Sequence, residues 1–234
     1  MHRFHNDIKR KYLDKYSKSP VKLLDLASGR GGDLKKWGDN KNIIQVDGYD
    51  INELSVAEAK ERKKSLKIKK KIKFEVKDLS KDRLRCYNKF DLITSFFAFH
   101  YFFKNRKTIN TIFGSIYNCS APGTVIILTL FDGELIMTLP EEYSTNLFSI
   151  NRISNKAISV KLNNSILEKT EIESIVTKQD LIDQFEKINF KLVESTPFYL
   201  IKSDKYKLTP EESVYSDLNV VYVFRKQADP VVVV

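Results

Sequence analysis

Residues 21–28 read Val-Lys-Leu-Leu-Asp-Leu-Ala-Ser and lead directly into Gly-Arg-Gly-Gly-Asp-Leu. An apolar run that meets three glycines within four residues has few folded solutions. Val21 to Leu26 reads as a strand buried on both faces. Gly29, Gly31 and Gly32 then permit a tight turn and a close backbone approach by a ligand. Leu34 to Trp37 reads as the first turns of the following helix. A second apolar run, Ile43 to Tyr49, ends at Asp50, 21 residues beyond Gly29. A carboxylate at that spacing suits the two ribose hydroxyls of an adenosine.

The loop departs from the G-x-G-x-x-G dinucleotide fingerprint, and the departure narrows the ligand. Asp25 and Asp33 flank it, and two carboxylates would repel a pyrophosphate at a helix N-terminus. They suit a nucleoside cofactor that has no phosphate and ends in a cationic amino acid. S-adenosylmethionine, with its ammonium and sulfonium, fits. The bland reading, a strand-turn-helix loop that binds nothing, leaves the ordered series of strand, glycine loop, helix, strand and terminal acid unexplained.

The same alternation continues along the chain. Phe4, Ile8, Tyr12 and Leu13 give a helix over Met1 to Tyr16. Asn52 to Ser65 is helix-prone, Lys71 to Lys77 alternates as a strand and ends at Asp78, and Phe90 to Phe96 is a fourth strand. Lys104 to Asn118 is a helix, and Ala121-Pro122-Gly123 a turn before Thr124 to Leu130, a strand at or near the sheet's centre. The order implies an α/β fold with a mostly parallel sheet and helices on both faces. After Asp132 the pattern changes: Tyr143–Ile150, Ala157–Leu162 and Thr170–Val176 read as short strands. Residues 133–176 are therefore expected to be a small β-rich insertion or lid on the ligand face, or else a structural flap. Asp180 to Ile188 is a helix, and Phe190–Glu194 and Leu218–Lys226 are the closing strands. We expect one domain over 1–234, with 227–234 as a tail.

Composition sets outer bounds. The 234 residues carry 40 basic and 30 acidic side chains, a formal charge of +10, which suits a polyanionic partner without requiring one. Lys60 to Lys73 holds nine of the basic residues; it reads as a solvated face or as a sequence-blind track for RNA phosphates. Cys86 and Cys119 form no metal or redox spacing and are expected to be reduced thiols. No apolar run approaches a membrane span, and the charged N-terminal region does not read as a signal peptide.

Ser95-Phe-Phe-Ala-Phe-His-Tyr-Phe-Phe103 places five phenylalanines, a histidine and a tyrosine in nine residues at the end of the fourth strand. There the cluster faces the cofactor loop, where an acceptor has to sit. Taken together, Leu24-Asp-Leu-Ala-Ser-Gly-Arg-Gly-Gly-Asp-Leu34, Phe97-Ala-Phe-His-Tyr101 and Val221-Tyr-Val-Phe-Arg-Lys226 resemble the mRNA cap guanine-N7 methyltransferases over nearly the full chain. Phe4-His-Asn-Asp-Ile-Lys9 is most similar to the enzymes of poxviruses and related large cytoplasmic DNA viruses.

The resemblance implies a class I (Rossmann-like) S-adenosylmethionine-dependent methyltransferase with a seven-stranded sheet, S-adenosylhomocysteine as product, and capped RNA (a GpppN 5′ end) as partner. It puts Lys9 on the cofactor carboxylate, Gly29 and Asp33 at the methionine end, and Asp25 under the loop. Asp50 takes the ribose, Asp78 the adenine edge, and Ile51 and Phe97 also line the cofactor. Phe97, His100 and Tyr101 meet the guanine, and Asn6 and Arg30 lie on the cap or loop side. Glu173, 20 residues before Val193, holds the guanine edge, with Glu171 as the other candidate. A glutamine common before the aromatic motif is Phe96 here, and a cap-stacking tyrosine falls on Asn219, with Tyr215 nearby. No metal is implied. Neighbouring triphosphatase and guanylyltransferase domains or a stimulatory subunit are possible partners, in the host cytoplasm or virion for a viral protein and the nucleus for a cellular one. Two other readings of the residues stay open: a methyltransferase for another RNA position or a small molecule, and a non-catalytic cofactor-binding module.

Overall fold

In a computed structural model, which describes residues 1–163, 170–201 and 205–228, the apolar runs become the strands of one seven-stranded sheet. In chain order the first elements are α1 (His2–Tyr16), β1 (Val21–Asp25), α2 (Leu34–Asp39), β2 (Ile43–Asp50), α3 (Glu53–Ser65) and β3 (Lys71–Val76). They are followed by β4 (Phe90–Phe96), α4 (Arg106–Cys119) and β5 (Ser120–Phe131). The C-terminal part adds α5 (Gly133–Thr138), β6 (Glu142–Ser144), β7 (Phe148–Ser154), β8 (Ala157–Leu162) and β9 (Thr170–Ser174). Last come α6 (Lys178–Glu186), β10 (Phe190–Pro197), α7 (Pro210–Asp217) and β11 (Asn219–Lys226).

The sheet order is β10-β11-β5-β4-β1-β2-β3. All its pairings are parallel except those of β11 with β5 and β10. Alternation along each strand splits the apolar side chains between two cores. Leu23, Leu92 and Ile127 face Ile8 and Leu13 of α1 and Trp37 of α2. Leu24, Ile93 and Ile126 face Ile116 of α4 and Phe185 of α6. A parallel sheet covered on both faces needs such uninterrupted apolar strands. The order reverses between β1 and β4, and a crevice opens at the carboxyl ends of strands at such a switch point.

Polar side chains fix the helix starts. Asn52 accepts from the Ser55 amide and Asn105 from the Thr108 amide. Thr177 with Asp180, and Thr209 with Glu212, close reciprocal capping boxes. Among the described residues no helix is long and apolar enough to cross a membrane.

Several expectations need correction. The run Tyr143–Ile150 is two strands, β6 and β7, because the chain turns back through Thr145, whose amide and hydroxyl both bond the Phe148 carbonyl. With β8 and β9 they form a separate four-stranded antiparallel sheet. Neither α5 nor α7 was foreseen; Asp132 starts the first by accepting from the Glu134 and Leu135 amides. The turn at 121–123 lies within β5 as a bulge, which shifts the pairing between Phe90 and Leu92. Cys86 and Cys119 are joined in a disulfide with Cα atoms 4.9 Å apart, not reduced, because the last turn of α4 brings Cys119 beside the segment that enters β4. Of the 227–234 tail, residues 229–234 lie outside the described residues, as do 164–169 of the 133–176 segment.

The four-stranded sheet leaves and rejoins the main body at one point, where the Gly133 amide donates to the Val176 carbonyl at 3.2 Å. A Cβ at Gly133 would run into that carbonyl. Gly133→Ala is predicted to lower unfolding free energy by about 1–3 kcal/mol, the usual cost of forced overpacking. Chemical denaturation checks this; wild-type stability in the variant would show that the two segments part without cost.

Candidate active site

The glycine loop is built by backbone bonds across the switch point. The Leu26 amide donates to the Thr94 carbonyl and the Ser28 amide to the Tyr49 carbonyl, each at 2.9 Å. Gly29 follows at φ +49°, and its N–H donates to the Asp50 carboxylate at 2.7 Å. The other Asp50 oxygen accepts from the Asn52 amide at 2.9 Å. A carboxylate has about four acceptor positions, so Asp50 can still receive two hydroxyls. Asp78 accepts from the Ser80 amide at 3.0 Å and pairs with Lys81 at 3.1 Å. Burial alone would raise its carboxyl, but the Ser80 and Lys81 contacts outweigh burial and hold it below the usual range.

Of these, Leu26, Gly29, Asp50, Asp78 and Ser80 wall a cavity of about 510 Å³, together with Ile51, Tyr101 and Phe102. Ile51 is 64% exposed there, an apolar side chain that the fold itself leaves uncovered. Carboxylate, amide and apolar walls match what a nucleoside needs: acceptors for its ribose and a flat apolar surface for its base.

Asp25 and Asp33 line neither cavity. Asp33 is clasped by Lys36 at 2.7 Å and Lys9 at 3.1 Å. Burial would raise it, yet the two lysines hold it below the ordinary value. Asp25, fully buried below the loop, accepts from the Thr94 hydroxyl at 3.0 Å. Burial, reinforced by the Asp33 charge, pushes it up to about 7. Two lysines around Asp33 leave this corner with a net positive charge, which suits a carboxylate. The Lys9 ammonium also lies 5.0 and 5.3 Å from the ring centroids of Phe96 and Phe97.

A second cavity of about 230 Å³ adjoins the first and is walled by Asn6, Lys9, Phe97, His100 and Glu173, among others. Phe97 carries the boundary. Its φ of +58° is a backbone state that costs a non-glycine residue about 1–3 kcal/mol. Its amide is held by the Thr129 carbonyl at 2.7 Å and hydroxyl at 3.1 Å. That left-handed step sends Phe97 into the second cavity while Ala98 and Tyr101 line the first.

His100 is 4% exposed, and neither of its ring nitrogens makes a hydrogen bond. Glu173 Oε2 lies 3.3 Å from His100 Nε2, but outside hydrogen-bonding geometry. Burial lowers His100 to about 3, so the ring is neutral and the contact is not an ion pair. Burial, with the nearby Glu171 charge, pushes Glu173 up to about 7. Buried polar groups left unpaired are costly, and here they converge on one opening.

The sequence-derived candidates thus divide. Gly29, Asp50, Ile51, Asp78 and Tyr101 meet in the nucleoside cavity, and Asn6, Lys9, Phe97, His100 and Glu173 in the second. Glu171 is not in its wall; Tyr215 and Asn219 both are. Asn219 is buried and bonds the Tyr215 carbonyl at 2.8 Å, while the Tyr215 ring packs against Phe131 and Phe148. Arg30 lines neither cavity and sits on the outer side of the loop, paired with Glu58 of α3 at 3.4 Å. The lysines of 60–73 cluster at the outer edge formed by α3 and β3. Several lining residues are not among the sequence-derived candidates, His5 and Phe131 with them. His5 stacks on Phe97 with ring centroids 5.2 Å apart, and its place beside Asn6 was the available signal. Phe131, at the carboxyl end of β5, follows from the strand-end rule.

Comparison with known proteins agrees with this architecture. The family model of the mRNA (guanine-N(7))-methyltransferase domain matches residues 1–179. An mRNA-capping enzyme catalytic subunit from fowlpox virus is 28% identical over 211 residues, covering 81% of this chain and 24% of that protein. An mRNA cap guanine-N(7) methyltransferase from Caenorhabditis elegans is 36% identical over 143 residues, covering 56% of this chain and 37% of that protein. The chain therefore spans well under half the length of these relatives. In fold, an S-adenosylmethionine-dependent methyltransferase from Mesorhizobium loti superposes with a TM-score of 0.68 at 16% identity, covering 95% of this chain and 98% of that one.

A raised Glu173 has a consequence for stability. A carboxyl whose folded value lies above its unfolded one binds its proton more tightly when folded, so stability falls as pH rises between about 4.5 and 7. Glu173→Gln is predicted to gain stability relative to wild type from pH 5 to pH 8, by about 2.5 kcal/mol. Denaturant unfolding at both pH values checks this; a difference that does not change with pH would contradict the burial argument.

Proposed function

The chain belongs to the mRNA (guanine-N(7))-methyltransferase family, and from that premise we propose that it methylates N7 of the guanine in a 5′ GpppN RNA cap. The observation that carries this reading is the pair of adjoining cavities divided at Phe97. One offers ribose and base partners, and the other holds an unpartnered neutral His100 beside Glu173.

S-adenosylmethionine, when bound, supplies a methyl group on a sulfonium. Lys9, which lines the second cavity, would hold its carboxylate where the methionine end passes Phe97, with Asp50 on its ribose hydroxyls, Asp78 on the adenine edge and Ile51 on the adenine face. In the second cavity Glu173 would accept from the guanine N1–H and exocyclic amine, and His100 would hydrogen-bond the base. Phe97 would pack against the ring. Asn6 and Tyr215 also line this cavity, and on this reading Tyr215 would take over from the tyrosine replaced by Asn219.

Guanine N7 has an exposed lone pair and no proton to lose, so the residues need only position and stabilise. Orientation of bound partners can supply roughly 7–11 kcal/mol of rate enhancement. Positive charge grows on the guanine during transfer. A Glu173 carboxylate and the Phe97 ring face would stabilise it, the ring by about 0.5–2 kcal/mol. Binding of the guanine's two donors would favour the charged form of Glu173, drawing its raised carboxyl back down. The wider protein, on this reading, brings triphosphatase and guanylyltransferase domains or a stimulatory subunit, and a viral version would work in the host cytoplasm.

Radiolabelled methyl transfer to GpppA-capped RNA tests the proposal. Wild type should label the cap guanine at N7, and Glu173→Ala should lower kcat/KM by about a hundredfold or more. Capped RNA that stays unlabelled while another substrate takes up methyl would overturn it. Asp50→Ala should weaken cofactor binding by about tenfold or more, read by calorimetry; unchanged affinity would remove the ribose assignment.

A further inference from the structure

The first half of α1 supplies walls of the proposed acceptor cavity and is held there by Lys9 on Asp33 at 3.1 Å, and a second polar attachment lies two turns away at the far edge of the sheet. Glu194 of β10 accepts from three α1 side chains: Tyr12 at 2.7 Å, Lys15 at 2.5 Å and Tyr16 at 2.9 Å. Thr196 adds a fourth bond at 3.0 Å. The carboxylate faces the helix because β10 carries a bulge between Leu192 and Glu194, which shifts its pairing with β11. A bulge re-aims the side chains that follow it. Burial would raise Glu194, but the Lys15, Tyr12 and Tyr16 contacts outweigh it and hold the group near 2, so it stays charged at any working pH.

From this geometry we infer that Glu194 is a positioning residue for the cofactor site, acting through α1 on Lys9. The apolar side of α1, with Phe4, Ile8 and Leu13 buried, already fixes the helix to the sheet. Apolar contacts are non-directional and leave the helix some freedom to rotate or slide. Charge-assisted bonds are directional and remove it. Lys9 lies three residues before Tyr12 and seven before Tyr16, on the same side of the helix. A small rotation there would carry its ammonium away from Asp33 and from the Phe96 and Phe97 rings. Tyr12 and Tyr16 also stack, with centroids 6.4 Å apart, so the clamp behaves as a unit. The inference rests on the proposed role of Lys9 at the cofactor carboxylate.

A double-mutant cycle on S-adenosylhomocysteine affinity, read by calorimetry on the full chain, tests it. Glu194→Ala should weaken binding about tenfold, and Tyr12→Phe with Tyr16→Phe, which keeps the packing, should do the same. Glu194→Gln, which still accepts from both tyrosines, should restore most of the loss. In a Lys9→Met background, Glu194→Ala should cost nothing more, and a purely structural role would not give that result. Wild-type affinity in both the Glu194→Ala and the double-tyrosine variants would overturn the inference, as would the same loss with and without Lys9. Failure of the wild type to bind the ligand at all would instead remove the cofactor reading beneath it.

Discussion

A single hydrogen bond, from the Gly29 amide to the Asp50 carboxylate at 2.7 Å, ties the end of β1 to the end of β2, and much of the site follows from it. It is made by a glycine in a left-handed φ that costs this residue type little, and it fixes the Asp50 oxygens with acceptor positions still open. With Leu26 bonded to Thr94 and Ser28 to Tyr49, the loop becomes a rigid rim between three strands. A parallel sheet offers this crevice where strand order reverses; the glycine and the carboxylate give it chemical character.

Phe97 does the corresponding work on the β4 side. Its strained backbone is held by the amide's two bonds to Thr129 and divides one crevice into two cavities of different chemistry. Strain of this kind persists only where the surroundings over-determine it. Here they do: the His5 ring stacks on Phe97, and Phe198 meets it edge-on. His5 is in turn held by Ser216 at 2.8 Å, so α1 and α7 converge on the residue that separates the two proposed ligands.

Much of this was legible in the sequence because the determining signals are local. The strand, glycine loop and acid lie within 30 residues, and burial on two faces writes itself as apolar runs. The aromatic cluster was legible for the same reason, since its position follows from the strand before it. What the sequence concealed depends on distant contacts. That Asp33 is clasped by Lys9 and Lys36, that Arg30 turns out to Glu58, and that Cys119 meets Cys86 are facts of tertiary placement. So is the separation of Glu173 from Glu171: they share a strand face, and only the packing of β9 beside the His100 turn sets one into the cavity. Short helices such as α5 escaped because a six-residue segment carries too little periodicity to register.

On the proposed function, the two cavities hold cofactor and guanine on either side of the Phe97–Tyr101 segment. The most direct measurement is a crystal structure with S-adenosylhomocysteine and a GpppG cap analogue bound together. The expected result is the adenosine ribose on Asp50, the guanine edge on Glu173 and His100, and guanine N7 facing the sulfur directly beside Phe97. A cap analogue lodged elsewhere, or an adenine in the His100 cavity, would contradict it.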